Sequence, residues 1–194
     1  MLFRSESSAL IANHAWFDRD GLWRMLETSS LFRLDLVGPR RAIACSWELP
    51  AGVVPDWIVG LVERSEQEIR QVLEAFDKVY LLIINSARES VIGGDSNQVR
   101  AVVAKLGCRL IPLTSDTAAV HCEAARPIAD AYRKFHTLPT QVPENLLVYS
   151  AAFGGPYEVT KVAAAEAITG LAVDTMDFKA VVEAAYQDGA RIFV

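Results

Sequence analysis

VYLLIINSARESVIGGD, residues Val79–Asp95, is the part of the sequence with the clearest fold signal. Its first part, Val79–Ile84, is entirely apolar, which is typical of a strand buried on both faces. Ser86–Glu89 turns the chain, and Ser90–Gly94 has the character of a second strand. We therefore predict two neighbouring strands joined by a short turn.

A strand and a helix are predicted on each side of this pair. Upstream, Trp57–Val62 is a strand, and Ser65 with Glu68 forms the capping box of a helix. Downstream, a second helix ends at Gly107, and Arg109–Leu113 is the last strand. The order β-α-β-β-α-β is that of a ferredoxin-like unit. We predict a four-stranded antiparallel sheet with both helices on one face.

The other residues form two segments, 1–50 and 116–194, which flank the middle segment 51–115 that holds this pattern. Apolar residues in 7–34 recur at helical intervals, and Gly21 favours two short helices over one long helix. In the C-terminal segment we predict a strand, a turn, two helices and a last strand, at Asn145–Ser150, Gly154–Pro156, Thr160–Ile168, Phe178–Tyr186 and Arg191–Val194. Because the sequence stops on an apolar strand, we expect it to be a fragment of a larger domain.

Composition and charge exclude several classes of function. The 194 residues are 52% hydrophobic and 22% charged, which excludes a disordered chain. The formal net charge is −5 without a cluster of Lys and Arg, so we expect neither a nucleic-acid partner nor an anionic membrane surface. The longest apolar run, Val79–Ile84, is too short to span a bilayer. Three cysteines without a CxxC pair predict a reduced, cytoplasmic protein, and three widely spaced histidines predict no metal site.

His121 is the first candidate for chemistry, and its surroundings in the sequence fit either a structural histidine or a general base. Cys122 is adjacent, but neighbouring residues point apart, which argues against a Cys–His pair. Asn85 ends a buried strand, where a turn-forming role is an equal explanation. Gly93–Gly94 precedes a helix without the spacing of a phosphate-binding loop, so a turn is the better interpretation.

No motif for a nucleophilic serine is present in the sequence. There is no GxSxG elbow, and the serines of Ser5–Ser8 are best explained as the cap of a helix. His14 and His136 fall on helices whose surfaces are expected to be exposed, so neither receives a role. From its residues alone, the chain is an α/β protein with a ferredoxin-like unit and one histidine of interest.

Four segments in order carry a family resemblance, namely Val79–Asp95, Lys105–Arg109, Val120–Glu123 and the stretch from Val173 to the C-terminus. They resemble acyltransferase domains related to malonyl-CoA:ACP transacylase, nearest to those of polyunsaturated fatty acid synthases and iterative polyketide synthases. The resemblance implies an α/β fold with a ferredoxin-like βαββαβ subdomain inserted in part of an α/β-hydrolase-like body. Residues 1–50 are then a helical remnant of the large subdomain, 51–115 the ferredoxin-like subdomain, and 116–194 the return to the large subdomain.

The chemistry implied by this resemblance is acyl transfer from coenzyme A, through a serine, to the phosphopantetheine thiol of an acyl carrier protein. His121 is then the general base. The family holds this imidazole through a backbone carbonyl in the segment that matches Asp177, which is our candidate for orienting it. Val120 and Asn85 are assigned to substrate binding. The family's serine would fall on Phe3, so we expect the chain to be inactive alone.

The resemblance implies no bound cofactor, because the coenzyme A thioester is a substrate and the phosphopantetheine belongs to the carrier protein. The expected partners are that acyl carrier protein, other domains of a fatty acid or polyketide synthase, and a second copy bound through exposed apolar surface. Two alternatives stay open. One is a degenerate, non-catalytic acyltransferase-like module that binds a carrier protein or a neighbouring synthase domain. The other is an unrelated ferredoxin-like regulatory or ligand-binding protein.

Overall fold

The computed structural model describes residues 6–113, 117–144 and 146–192. Its strands are β1 (Trp57–Val62), β2 (Val79–Ile84), β3 (Ser90–Asp95), β4 (Leu110–Pro112), β5 (Val148–Ser150), β6 (Gly155–Tyr157) and β7 (Met176–Asp177). Its α-helices are α1 (Glu6–Ala12), α2 (Arg19–Thr28), α3 (Arg41–Ser46), α4 (Glu66–Leu73), α5 (Ser96–Leu106), α6 (Ala129–His136), α7 (Lys161–Val173) and α8 (Phe178–Gln187). A π-helical turn at Leu31–Asp35 and a 3-10 helix at Glu123–Ile128 complete the set.

The main sheet has five strands in the order β4-β1-β3-β2-β7. The first four are antiparallel and follow the predicted order β-α-β-β-α-β along the chain. The fifth strand corrects the prediction of a four-stranded sheet. It comes from the C-terminal segment and pairs in parallel with β2, with Ile83 opposite Met176. This added strand joins the C-terminal segment to the ferredoxin-like unit.

The two faces of the sheet pack against different parts of the chain. One face is covered by both α4 and α5, as predicted, and its buried residues are Val62, Ile69, Val79, Leu81, Ile84, Ile92, Val99 and Val102. The other face packs against α3 and the residues around the 3-10 helix, through Ile43, Trp47, Trp57, Val59, Tyr80, Leu82, Val91, Ala119, Cys122 and Ala124. Because β2 contributes to both clusters, it is buried on both sides.

The local signals in the ferredoxin-like unit act as predicted. Ser65 accepts a hydrogen bond from the backbone of Glu68, whose carboxylate accepts from the Ser65 backbone, which completes the capping box of α4. Asp95 caps α5 by accepting from two backbone N–H groups. Gly107 ends the same helix with φ at 59°, a left-handed conformation that costs glycine little.

A second body consists of the N-terminal helices, α6, α7 and the β5–β6 hairpin, which share two apolar clusters. Here the sequence predictions need correction. Gly21 lies inside α2, and the break between the first two helices falls earlier, at residues 13–18. Gly155 and Pro156 belong to β6 rather than to a turn, because Gly155 pairs with Ser150.

Several sequence predictions lie partly or wholly outside the described residues. The predicted strand at Asn145–Ser150 starts later, at Val148, and Asn145 lies outside the described residues. Arg191 and Ile192 do not form a strand, and 193–194 lie outside. The predicted cap at Ser5 and the position Phe3 lie outside as well. Within the part of the chain that is described, no helix is both long and apolar enough to cross a membrane.

Candidate functional site

His121 is held by the C-terminal end of α7. Its backbone N–H donates to the oxygen of Ala172 at 2.7 Å, and its ring Nδ1 lies 2.5 Å from the oxygen of Leu171. Both acceptors belong to the last four residues of the helix, whose carbonyls have no partner within the helix. The backbone of His121 has φ at 67°, an uncommon value for a residue other than glycine. Two hydrogen bonds therefore fix both the backbone and the ring.

The contact with Leu171 sets the protonation of the imidazole. A carbonyl oxygen only accepts, so Nδ1 carries the proton and Nε2 of the neutral ring keeps its lone pair. Within the described residues, Nε2 of His121 receives no hydrogen bond. Burial lowers the pKa of His121 below its ordinary value, and the hydrogen bond to Leu171 opposes that shift. The ring is therefore neutral near pH 7 and can accept a proton at Nε2, as a general base must.

Asp177, which we expected to lie in the segment that orients this ring, caps a helix. Its carboxylate accepts a hydrogen bond of 2.9 Å from the backbone of Ala180, which caps α8. The carbonyl that holds the imidazole belongs to Leu171 instead, at the end of the preceding helix. The backbone carbonyl that contacts His121 therefore lies six residues before Asp177 in the chain.

Asn85 closes the turn between β2 and β3. Its side-chain amide donates to the carboxylate of Glu89 at 2.9 Å, and its backbone N–H donates to the oxygen of the same residue. Ser86 donates to that oxygen too. These contacts favour the turn-forming alternative for Asn85, which lies just beyond the β2 residue Ile84 that pairs with Asp177.

Val120 and Cys122, on either side of His121, point into different apolar clusters. Val120 is partly buried and packs against the cluster of the second body that contains Leu36 and Phe135. Cys122 is buried against the sheet, and burial raises the pKa of its thiol to about 12. The thiol is therefore protonated at neutral pH, which adds to the argument against a Cys–His pair.

The sequence matches no protein-family model and no curated protein, so the comparison rests on solved structures. A malonyl-CoA:acyl carrier protein transacylase from Helicobacter pylori superposes with a TM-score of 0.73 at 16% identity, over 94% of this chain and 55% of that one. A loading acyltransferase from the avermectin polyketide synthase gives 0.70 at 16% identity, over 97% and 55%. The chain has the fold of a malonyl-transacylase-type acyltransferase domain.

A third structure agrees with this acyltransferase fold. It is an acyl carrier protein S-malonyltransferase from Vibrio cholerae, with a TM-score of 0.68 and 19% identity over 94% of this chain and 56% of that one. In all three comparisons nearly the whole chain superposes. The chain spans about half the length of these solved structures.

The prediction that His136 lies on an exposed helix surface was wrong. His136 is only 4% exposed, and its ring lies among the rings of Trp16, Phe32, Tyr132 and Phe135. Its Nδ1 bonds to the oxygen of Tyr132 at 2.8 Å, and burial lowers its pKa to about 4. The spacing of Tyr132, Phe135 and His136 places them on one helix face, a signal that could have shown that His136 is buried.

Proposed function

We propose that this chain is part of an acyltransferase domain that moves an acyl group from a coenzyme A thioester to an acyl carrier protein. His121 is the general base. The observation that carries the proposal is the single hydrogen bond from the ring to Leu171, which leaves Nε2 as a proton acceptor. The solved structures with the same fold support it, because their names describe malonyl or acyl transfer and two of them name an acyl carrier protein.

The transfer proceeds in two half-reactions in which His121 moves one proton at a time. In the first, Nε2 takes the proton of a serine hydroxyl as the oxygen attacks the thioester carbonyl, and the imidazolium then protonates the departing thiolate of coenzyme A. In the second, Nε2 takes the proton of the phosphopantetheine thiol, whose sulfur attacks the acyl-serine ester. The proton returns to the serine oxygen as the new thioester forms.

The sequence contains no GxSxG elbow, so it offers no motif for the serine that this mechanism needs. We propose that the chain does not form an acyl-enzyme by itself and that further polypeptide supplies the nucleophile. The span of about half of each matched structure is consistent with this division. Residues 1–50 and 116–194 would belong to the large subdomain and 51–115 to the smaller one.

The proposed setting is a fatty acid or polyketide synthase in the cytoplasm, of the type that makes polyunsaturated fatty acids. Its other domains and the carrier protein are the partners. In this setting Val120 contributes to the wall of the acyl pocket. Asn85 contributes to substrate binding from the β2–β3 turn that it holds, and Asp177 caps the start of α8, while Leu171 holds His121.

The test compares two forms of the protein with malonyl-CoA and a carrier protein, followed by mass spectrometry. One form is the chain as it stands, and the other carries an N-terminal segment with a GxSxG elbow. We expect acyl transfer only in the second form. His121→Ala lowers that rate by about 10²–10⁴-fold, the usual contribution of a general base, while His14→Ala at an exposed position leaves it unchanged. An active His121→Ala protein would contradict the proposal.

The missing elbow motif also favours the alternative of a non-catalytic module that only binds a carrier protein or a neighbouring synthase domain. The same experiment separates the two functions. The module predicts that the carrier protein binds to the chain with unchanged affinity in His121→Ala and that the elbow-bearing form transfers no acyl group. The acyltransferase predicts transfer that depends on His121.

A further inference from the structure

Thr175 connects the end of α7 to the main sheet. It lies in the short connection between α7 and β7 and is partly buried. Its hydroxyl donates a hydrogen bond of 2.7 Å to the backbone oxygen of Leu81 in β2. The two residues are 94 positions apart, so this one side chain joins the C-terminal segment to the ferredoxin-like unit.

The acceptor, Leu81, lies at an irregular point of β2. On the side of β3 the register shifts between Leu81 and Ile83, as it does at a β-bulge. On the side of β7 the parallel pairing begins at Ile83, opposite Met176, and runs to Ile84. Leu81 therefore precedes this short backbone ladder, and the hydroxyl of Thr175 extends the contact between the two segments to it.

Thr175 follows directly on a closed turn at the end of α7. The backbone N–H of Asp174 donates to the oxygen of Gly170 at 3.0 Å, which closes this turn. The next two carbonyls of the helix are the ones that hold the ring and the backbone of His121. Because the turn has its own hydrogen bond, any movement of Thr175 relative to β2 displaces these two carbonyls as well.

The chain around His121 rests on the same strand. Its neighbour Cys122 is 2% exposed and packs in the apolar cluster that contains Leu82, the residue after Leu81 in β2. One face of β2 thus holds the segment that carries the imidazole, and the edge of β2 holds the helix end that accepts from it. The distance between ring and carbonyl depends on both attachments.

We propose that Thr175 is a positioning residue for His121, because its bond to Leu81 fixes the helix end whose Leu171 carbonyl accepts from Nδ1 of the ring. Without the hydroxyl the end of α7 moves, and the ring is free to carry its proton on either nitrogen. A ring with its proton on Nε2 cannot accept a proton there. The effect on the ring is independent of any activity, whereas its consequence for acyl transfer rests on the proposed function.

Nitrogen NMR of the imidazole tests the proposal on the chain as it stands. Thr175→Val keeps the shape of the side chain and removes the hydroxyl. We expect part of the His121 population in this variant to carry its proton on Nε2, whereas Thr175→Ser, which keeps the hydroxyl, retains the wild-type spectrum. A Thr175→Val spectrum identical to that of the wild type would overturn the proposal, and so would equal changes in Thr175→Ser.

Thr169→Val is the matched control for a general loss of stability. The hydroxyl of Thr169 also donates to a backbone oxygen at 2.7 Å, that of Ala165, but both residues lie within α7. Thr169 is 3% exposed, so the variant loses a buried hydrogen bond without releasing the helix end from β2. We expect its His121 tautomer to be unchanged. The same tautomer change in both valine variants would mean that weakening of α7 is sufficient, which contradicts a specific role for Thr175.

Thr175→Ala keeps the proposal testable if Thr175→Val does not fold. Valine leaves the carbonyl of Leu81 without this donor, whereas the smaller alanine leaves room for a water to donate in its place. Far-UV circular dichroism verifies the fold. We expect the Nε2-protonated ring to appear in Thr175→Ala too, and a folded variant with the proton on Nδ1 alone would refute the positioning role.

The elbow-bearing form shows the consequence for acyl transfer. Thr175→Val should lower kcat about 10–100-fold with little change in KM for malonyl-CoA, because the displaced group is the base. Thr175→Ser should keep the wild-type kcat. If the elbow-bearing wild type transfers no acyl group, the proposed function fails, and the NMR result still decides the role of Thr175. An active wild type whose kcat is unchanged by Thr175→Val would overturn the positioning role.

Discussion

His121 and Leu171 are fifty positions apart in the chain, yet the ring Nδ1 of the first lies 2.5 Å from the backbone oxygen of the second. Because Leu171 is in the last turn of α7, its carbonyl accepts no hydrogen bond within the helix and can accept one from the imidazole. One helix end therefore selects the tautomer of the ring. A backbone group makes this contact, so substitution of the Leu171 side chain leaves the acceptor in place.

The tautomer and the titration of His121 can be observed directly. We expect nitrogen NMR to show the proton on Nδ1 at neutral pH, because Leu171 offers only an acceptor. We also expect the pKa of His121 below the ordinary value of 6.5, because burial disfavours the charged ring more than the hydrogen bond favours it. A ring with its proton on Nε2 at neutral pH would contradict the assignment of that atom as the base.

Asp177 should matter for stability and leave His121 unaffected. Asp177→Ala removes the cap of α8 and should lower the free energy of unfolding by about 1 kcal/mol. Asp177→Asn keeps a capping oxygen and should cost less. In both variants the Nδ1 resonance of His121 should stay unchanged, since Leu171 holds the ring. Loss of that resonance in Asp177→Asn would show that Asp177 orients the imidazole, as the sequence first suggested.

His136 should make the protein less stable in acid. Its pKa is about 4 in the folded protein and about 6.5 in the unfolded chain, so the unfolded chain binds the proton more tightly. The free energy of unfolding should therefore fall as the pH drops from about 6.5 to about 4. The difference between the two pKa values corresponds to about 3 kcal/mol.

The control for this loss is His136→Phe, which keeps an aromatic ring among Trp16, Phe32 and Phe135 without a titrating group. Tyr132, which packs against the same ring, has its pKa raised to about 12 by burial and stays neutral throughout. Chemical denaturation at several pH values should show the free energy of unfolding of the wild type falling in acid relative to that of His136→Phe. A gap that does not change with pH would refute the prediction.

Gly94 should be intolerant of any side chain. A Cβ at this position would lie 2.0 Å from the backbone oxygen of Lys78 and 2.8 Å from Cα of Val79, and the φ of +151° is strained for other residues. Gly94→Ala should therefore cost roughly 2–4 kcal/mol of stability. At Gly155 a Cβ would meet nothing within 4 Å, so Gly155→Ala should change stability by less than about 1 kcal/mol. Thermal denaturation of both variants would show whether the two positions differ.

Interactions between residues close in sequence could be predicted well. The capping box of Ser65 and Glu68 and the left-handed Gly107 depend on groups within a few positions of one another, so the order of residues is sufficient to identify them. The same holds for β2, whose continuous apolar run indicated burial on both faces. The resemblance added the acyltransferase fold, which the solved structures confirm, and it drew attention to His121.

Contacts between elements that are distant in the chain could not be predicted from the order of residues. An apolar pattern shows which side of a strand or helix avoids water, but it does not show which element will cover that side. For this reason the pairing of Met176 with Ile83 and the packing of His136 against Trp16 appeared only in the folded chain. The substrate-binding role of Asn85 stays a prediction, and the structure adds that its side-chain amide donates to Glu89 across the turn.

The sequence by itself therefore determined the order of the elements between Trp57 and Pro112 and the caps of the two helices there, and it drew attention to His121. Only the tertiary structure decided what holds that histidine. Every residue carries a backbone carbonyl, so the side chain of Leu171 could not indicate that its carbonyl would accept the hydrogen bond from His121. Which carbonyl accepts depends on where α7 ends and on how that end packs against the segment that contains His121. Both are fixed by packing between segments that are distant in the sequence.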